Sequence, residues 1–169
     1  MQYGVTDAKA SLVSNSDYLT TLRSIIQSCS YRLWSSIFIL DLSPRRDRDL
    51  MVDSVLTEIR NAIWRGVDAR ILIGGSRTNF NIARLSDAAR TRALELGIPC
   101  RLLTSTNIRG SHTKMVIADK WVLTGSHNWS GGAFTDQTQD SLIIESDALS
   151  AYLSKLFEEQ WNRAEIFDV

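Results

Sequence analysis

The chain has 169 residues, of which 44% are hydrophobic and 22% charged, as is typical of one globular domain with a substantial core. Its 19 basic and 19 acidic residues cancel, so no global charge attracts it to nucleic acid, and an anionic substrate has to be held by a local patch. Met1–Val5 does not resemble a secretory signal, and the longest apolar run, Ile37–Leu40, is too short to span a bilayer, so we expect a cytoplasmic protein with no membrane partner.

The N-terminal part of the chain predicts an arm, a helix and a strand. Residues 1–15 are polar and are expected to form a loosely held arm or a short edge strand, ahead of a single catalytic domain over residues 16–169. Apolar residues at helical spacing predict a helix over Tyr18–Ile26. Leu33–Leu42 is rich in isoleucine, phenylalanine and tryptophan and predicts a buried strand, which cannot continue past Pro44.

A helix and a second buried strand follow. An apolar stripe predicts the helix over Leu50–Arg65, with Gly66 as its stop, and Val67–Ile73 predicts the strand. The order strand, helix, strand predicts a right-handed crossover that connects two parallel strands. The loop before this helix, residues 44–49, mixes three arginines with two aspartates. It is either an entrance for a polyanion or a self-neutralising solvated loop.

The remaining elements complete an α/β pattern. Gly74–Asn79 lacks a Walker lysine, so we interpret it as a strand-to-helix turn on the rim of the site and not as a phosphate cradle. Beyond it, the pattern predicts two helices and two strands outside the central motif: a helix over Asn81–Leu96, strands over Cys100–Leu103 and Asp140–Glu145, and a helix over Ala148–Asn162. The predicted fold is a mixed β-sheet flanked by helices on both faces.

The cysteines and histidines do not predict a metal site. Cys29 and Cys100 lie far apart and are not spaced as metal ligands, which favours two free thiols in a reducing compartment. The chain has only two histidines, so a zinc site is not expected either.

The most informative stretch is Ser111–Asp119, which predicts a strand, followed by Trp121–Asn128 as its antiparallel return. Side chains alternate across a strand, so His112 and Lys114 share one face of the first strand. Ser126 and Asn128 likewise share one face of the second strand. A hairpin of these strands would gather an imidazole, an ammonium, a hydroxyl and an amide. A phosphoryl substrate needs a nucleophile, a cation and neutral donors of this kind.

The string His112-x-Lys114-x4-Asp119, followed by Gly125-Ser126-x-Asn128, resembles the signature of the phospholipase D superfamily. The order of strands and helices from about Asp17 to about Arg163 is similar to that of the family's small single-motif nucleases. The resemblance implies a metal-independent phosphodiesterase that needs no cofactor and forms a covalent phosphohistidine at His112. It also implies that an acidic residue orients this histidine. Asp140 occupies the comparable position, where the family usually has glutamate.

The parity of the strands assigns supporting roles to two further residues. Asp119 ends the motif strand and points to the face opposite His112. It is included in the site only because it completes the motif, and we expect it to support the turn that follows. His127 should point to the other face of its strand, which favours a structural role. The family's chemistry uses two motif histidines, so the resemblance implies a homodimer in which one His112 attacks and the other protonates the leaving oxygen.

The substrate implied by the resemblance is DNA or RNA. A phospholipase D-type lipid phosphodiesterase is one alternative, although no second motif and no amphipathic membrane helix are evident. A catalytically silent nucleic-acid-binding or scaffold dimer is another, against which the intact motif argues. Beside the motif residues Lys114, Ser126 and Asn128, the candidate substrate contacts are Arg45, Arg46, Arg77, Arg109 and Trp129.

Overall fold

A computed structural model describes residues 3–6, 8–43, 50–76, 78–105 and 111–164, with only the backbone at residues 104 and 105. The described residues form one seven-stranded sheet whose strands are β1 (Lys9–Ser14), β2 (Arg32–Ile37), β3 (Asp68–Ser76), β4 (Cys100–Ser105), β5 (Lys114–Ala118), β6 (Trp121–Gly125) and β7 (Asp140–Glu145). The helices are α1 (Asp17–Ser28), α2 (Leu50–Trp64), α3 (Phe80–Glu95), α4 (Gly131–Thr135) and α5 (Asp147–Arg163).

The sheet is mixed, as predicted, and has the strand order β1-β7-β6-β5-β2-β3-β4. β2, β3 and β4 are parallel, whereas the other neighbouring strands pair antiparallel. One face packs against α1, α2 and α3, and the other face packs Trp34 and Ile117 against Phe157 and Trp161 of α5. The predicted α/β fold with helices on both faces is confirmed.

Two segments differ in detail from their predicted form. The strand predicted over Leu33–Leu42 ends at Ile37, because the chain leaves the sheet there, and Leu40 makes an isolated bridge with Trp129. The loop predicted after Asn128 contains the short helix α4. Ser130 caps this helix by accepting a hydrogen bond from the Ala133 N–H at 3.2 Å.

The N-terminal segment takes the second of its two predicted forms. Residues 9–14 form the edge strand β1, in which Lys9 pairs with Glu145 and Ser14 pairs with Asp140. Both ends of β7 are therefore tied to the N-terminal segment.

Cys29 and Cys100 are buried free thiols, and burial raises the pKa of Cys100 to about 12. None of the helices in the described ranges is both long enough and apolar enough to cross a membrane.

Candidate functional site

Three chain segments meet at the end of the sheet where the motif lies. Ile37, the last residue of β2, pairs with Lys114, the first residue of β5. Met115 pairs with Thr124, so the start of β5 and the end of β6 lie side by side. The predicted hairpin is confirmed, but its strands are shorter than predicted, because β5 begins only at Lys114 and β6 ends at Gly125. His112 therefore lies just before β5, beside the segment that follows Gly125.

The backbone just before His112 is held against β3. Ser111 is buried, with its Oγ 3.3 Å from the Oγ of Ser36, and the Thr113 N–H donates to it at 3.4 Å. A Cβ on Gly74 would overlap the carbonyl oxygen of Ser111, so this approach requires glycine. Gly74 thus allows the segment before β5 to lie close against β3.

His112 and Lys114 are in direct contact, as their shared face predicts. The imidazole of His112 is exposed and the side chain of Lys114 is half-buried. The Nζ of Lys114 lies 3.1 Å from the Nδ1 of His112 and donates to the His112 carbonyl oxygen at 2.9 Å. Burial lowers the pKa of Lys114. An ammonium that donates to Nδ1 leaves the proton of the neutral ring on Nε2.

Phe38 is part of this cluster, although no pattern in the sequence pointed to it. Its ring centroid lies 4.1 Å from that of His112, with an interplanar angle of 41°, and 5.0 Å from the Nζ of Lys114. A phenylalanine in an apolar segment carries no chemical signal of its own, so only the folded chain shows this contact.

Asn128 is oriented by the segment that follows β2. Its Oδ1 accepts a hydrogen bond from the Ile39 N–H at 3.1 Å, which determines the orientation of the amide. The two N–H donors of the amide therefore point away from Ile39. They are suited to bind an anionic oxygen.

Ser126 is engaged with the backbone of Asp140. Its hydroxyl donates to the Asp140 carbonyl oxygen at 3.2 Å and accepts from the Asp140 N–H at 3.1 Å. A Cβ on Gly125 would overlap this same carbonyl oxygen and the side chain of Ser141. The only hydroxyl proton of Ser126 is thus used to hold β7, and is not free for a phosphate oxygen.

The structure does not place Asp140 where the prediction requires it. The carboxylate accepts a hydrogen bond from the Ser14 hydroxyl at 2.6 Å, because Ser14 and Asp140 are paired across β1 and β7. Within the described ranges, no carboxylate contacts His112, whose partners are Lys114 and Phe38. The orienting role expected of Asp140 is therefore not seen in the single chain.

Asp119 follows directly on β5, at the end of the strand remote from His112. Its carboxylate accepts hydrogen bonds from three consecutive backbone N–H groups at 2.7 to 3.1 Å, those of Ser30, Tyr31 and Arg32. Asp119 has a φ of 51° in the turn between β5 and β6. It holds the start of β2 to this turn, which agrees with the predicted supporting role.

His127 and Trp129 lie in a buried cluster below the site. The Nδ1 of His127 is 2.8 Å from the Oγ of Ser141, and its ring stacks on Tyr18 at 4.2 Å. Burial lowers the pKa of His127. These contacts agree with the structural role predicted for His127.

The prediction that Trp129 stacks on nucleic-acid bases is wrong. The side chain is fully buried, and its indole N–H donates to the Tyr18 hydroxyl at 3.3 Å. Trp129 directly follows the motif in sequence, but its side chain does not reach the surface, because its backbone pairs with Ile39 and Asp41 inside the fold.

The predicted arginine contacts lie outside the described residues: Arg45, Arg46, Arg77 and Arg109. The described ranges contain no group of three or more histidine, cysteine, aspartate or glutamate side chains that is placed to hold a metal ion.

Comparisons with known proteins agree with the geometry. The family model described as "Cardiolipin synthase, PLD-like domain" matches residues 22–161. The virion nicking-joining enzyme of vaccinia virus (strain Copenhagen) is 28% identical over an alignment of 159 residues, and the match covers 85% of this chain. The chain spans only 38% of the length of that relative.

Two solved structures have a similar fold. Nuc from Salmonella typhimurium, a phospholipase D family member, superposes with a TM-score of 0.75 at 23% identity, covering 96% of this chain and all of Nuc. NucT from Helicobacter pylori superposes with a TM-score of 0.70 at 18% identity, covering 95% of this chain and all of NucT.

Proposed function

The chain belongs to the phospholipase D-like family, and on that premise we propose that it is a metal-independent phosphodiesterase that cleaves DNA or RNA. The observation that carries this proposal is the exposed imidazole of His112 with the Lys114 ammonium 3.1 Å from its Nδ1. A nucleophile beside a cation is suited to attack at phosphorus, where negative charge builds up on the non-bridging oxygens.

In the first step, Nε2 of His112 attacks phosphorus, and the bond to the leaving oxygen breaks as the nitrogen–phosphorus bond forms. Nε2 needs a free electron pair for this attack, so the proton of the ring has to lie on Nδ1. When the substrate binds, the Lys114 ammonium turns from Nδ1 to a phosphate oxygen. The ring of His112 is exposed, so water can take the proton from Nε2 and another water can give one to Nδ1, which leaves the electron pair of the neutral ring on Nε2. The amide of Asn128 donates to the other non-bridging oxygen. Water then hydrolyses the phosphohistidine and restores the imidazole.

The leaving oxygen needs a proton, and one chain supplies a single motif histidine. We propose a homodimer whose site lies across the two-fold axis, so that the second His112 acts first as general acid and then as general base. The exposure of His112 supports this arrangement, because its ring is accessible to a second copy.

Nucleic acid is favoured over lipid because the viral relative is by name a nicking-joining enzyme, and nicking and joining are operations on a polynucleotide strand. The two alternatives from the sequence, a lipid phosphodiesterase and a silent binding dimer, remain outcomes of the test that follows.

We expect purified protein in EDTA to cleave labelled nucleic acid at the same rate as without the chelator, since Lys114 supplies the positive charge. The assay compares single- and double-stranded DNA, RNA and a phosphatidylcholine. Loss of activity in EDTA with recovery in Mg²⁺ or Mn²⁺ would rule out the metal-independent mechanism. Cleavage of the phospholipid alone would support the lipid alternative, and binding without cleavage would support the silent dimer.

Activity should belong to the dimer, because the monomer lacks the proton donor. Wild-type protein mixed with an excess of His112→Ala chains should lose more activity than simple dilution predicts, since each mixed dimer holds one motif histidine. Sedimentation should give about 38 kDa, twice the chain mass of 19.0 kDa. A fully active 19.0 kDa monomer would contradict the shared site.

A further inference from the structure

We infer that Phe38 is a positioning residue, whose ring holds the imidazole of His112 and the ammonium of Lys114 side by side at the site, ready for the substrate. This inference rests on the proposed roles of His112 and Lys114. Phe38 itself does not react, and it acts only through the two side chains that it contacts.

Phe38 contacts both motif side chains with one ring. The centroid distance of 4.1 Å to His112 is a close aromatic contact, and the 5.0 Å from the centroid to the Lys114 Nζ lies within the range of a cation–π interaction. The ring thus touches the nucleophile and the cation at the same time. Both groups pack against this one ring, and the Nζ of Lys114 lies 3.1 Å from the Nδ1 of His112.

The ring can serve as a rigid support because its backbone is held in place. The chain after Phe38 is bound to the second half of the motif: the Ile39 N–H donates to Asn128 Oδ1 at 3.1 Å, and the Ile39 carbonyl accepts from the Trp129 N–H at 2.9 Å. On the other side, a Cβ on Gly74 would lie 3.0 Å from both the Cα and the Cδ2 of Phe38. The ring is therefore held between β3 and the motif side chains.

The same short segment thus connects the two halves of the motif. Phe38 contacts His112 and Lys114, and the next residue orients Asn128. A lysine side chain loses rotamer entropy when it is fixed in one position. A ring that already confines the ammonium reduces the entropy lost when the substrate binds. The lowered pKa of Lys114 agrees with an ammonium that is shielded from water on one side.

The contact can be tested without substrate by NMR of the histidine rings. The chain has only two histidines, so His127, which stacks on Tyr18, is an internal reference. In Phe38→Leu the ring current is lost, so the ring protons of His112 should move downfield while those of His127 stay unchanged. Phe38→Tyr should keep the wild-type resonances of His112. Unchanged His112 resonances in Phe38→Leu would overturn the inference, whether or not the protein proves to be a nuclease.

The kinetic test separates positioning from binding. Phe38→Leu keeps an apolar side chain, and we expect it to lower kcat by about 10- to 100-fold with little change in KM, because small displacements of a nucleophile are costly. Phe38→Tyr should stay within about two-fold of wild type. The matched control is Tyr31→Leu, which removes an exposed ring just before β2, at the end of that strand remote from His112 and Lys114, and which leaves the backbone hydrogen bond to Asp119 in place. Equal kcat values for Phe38→Leu and wild type, with both folded, would also overturn the inference.

Discussion

Replacing His112 with alanine is expected to lower kcat by about four orders of magnitude or more, as removal of a covalent nucleophile does in other enzymes. The alternative attack by water has neither the nucleophile nor the proton transfer that the imidazole supplies. Because the side chain is exposed, folding should be unaffected. Single-turnover rates measure the loss, and circular dichroism with a thermal midpoint measures the folded state.

The chain offers a matched control at its other histidine. His127→Gln removes an imidazole that is buried and bonded to Ser141 and Asn15. We expect it to lower the free energy of unfolding by about 1–3 kcal/mol, while kcat of the folded protein stays within about three-fold of wild type. Equal losses of kcat in both folded variants would contradict the assignment of His112 as the nucleophile.

Replacing Gly74 with alanine should impair both stability and turnover, although this residue never contacts the substrate. The new Cβ would overlap the Ser111 carbonyl oxygen and press on Phe38, and neither backbone can give way without moving the start of β5. We expect a loss of about 1–3 kcal/mol in the free energy of unfolding. Displacement of His112 should lower kcat by about 100-fold.

Urea unfolding and kcat measured on the same preparation give both numbers. Gly4→Ala is the matched control, because a Cβ there meets nothing within 4 Å, and it should leave stability and rate at their wild-type values. A Gly74→Ala variant with the wild-type kcat would show that the contact with Ser111 does not position His112.

The missing carboxylate contact has a mechanistic consequence. In the single chain, Lys114 takes the position at Nδ1 of His112 that an orienting acid would occupy, and Asp140 is bonded to Ser14 instead. With the Lys114 ammonium as donor to Nδ1, a neutral ring carries its proton on Nε2. In the proposed mechanism, the ammonium moves to the substrate phosphate and the exposed ring exchanges its proton through water from Nε2 to Nδ1, so that Lys114 takes part both in substrate binding and in preparing the nucleophile.

Local patterns in the sequence were sufficient to determine the elements and the faces of the strands. The strand and helix periods depend only on backbone geometry, so apolar spacing predicted α2 and α3 to within one residue at each end. The same alternation brought His112 to the side of Lys114 and turned His127 into the core. The spacing of the motif was enough to identify the family, because its residues lie on or next to two adjacent strands.

Only the tertiary structure decided which partner each of these side chains has. Ser14, Phe38 and Gly74 lie far from the motif in sequence, and they meet Asp140, His112 and Ser111 only because distant strands become neighbours in the sheet. Trp129 likewise follows the motif directly and is nevertheless buried. A period along one element shows which face a residue occupies, but the atoms opposite that face come from another part of the chain. Their positions depend on strand order, register and close packing, which no local pattern contains.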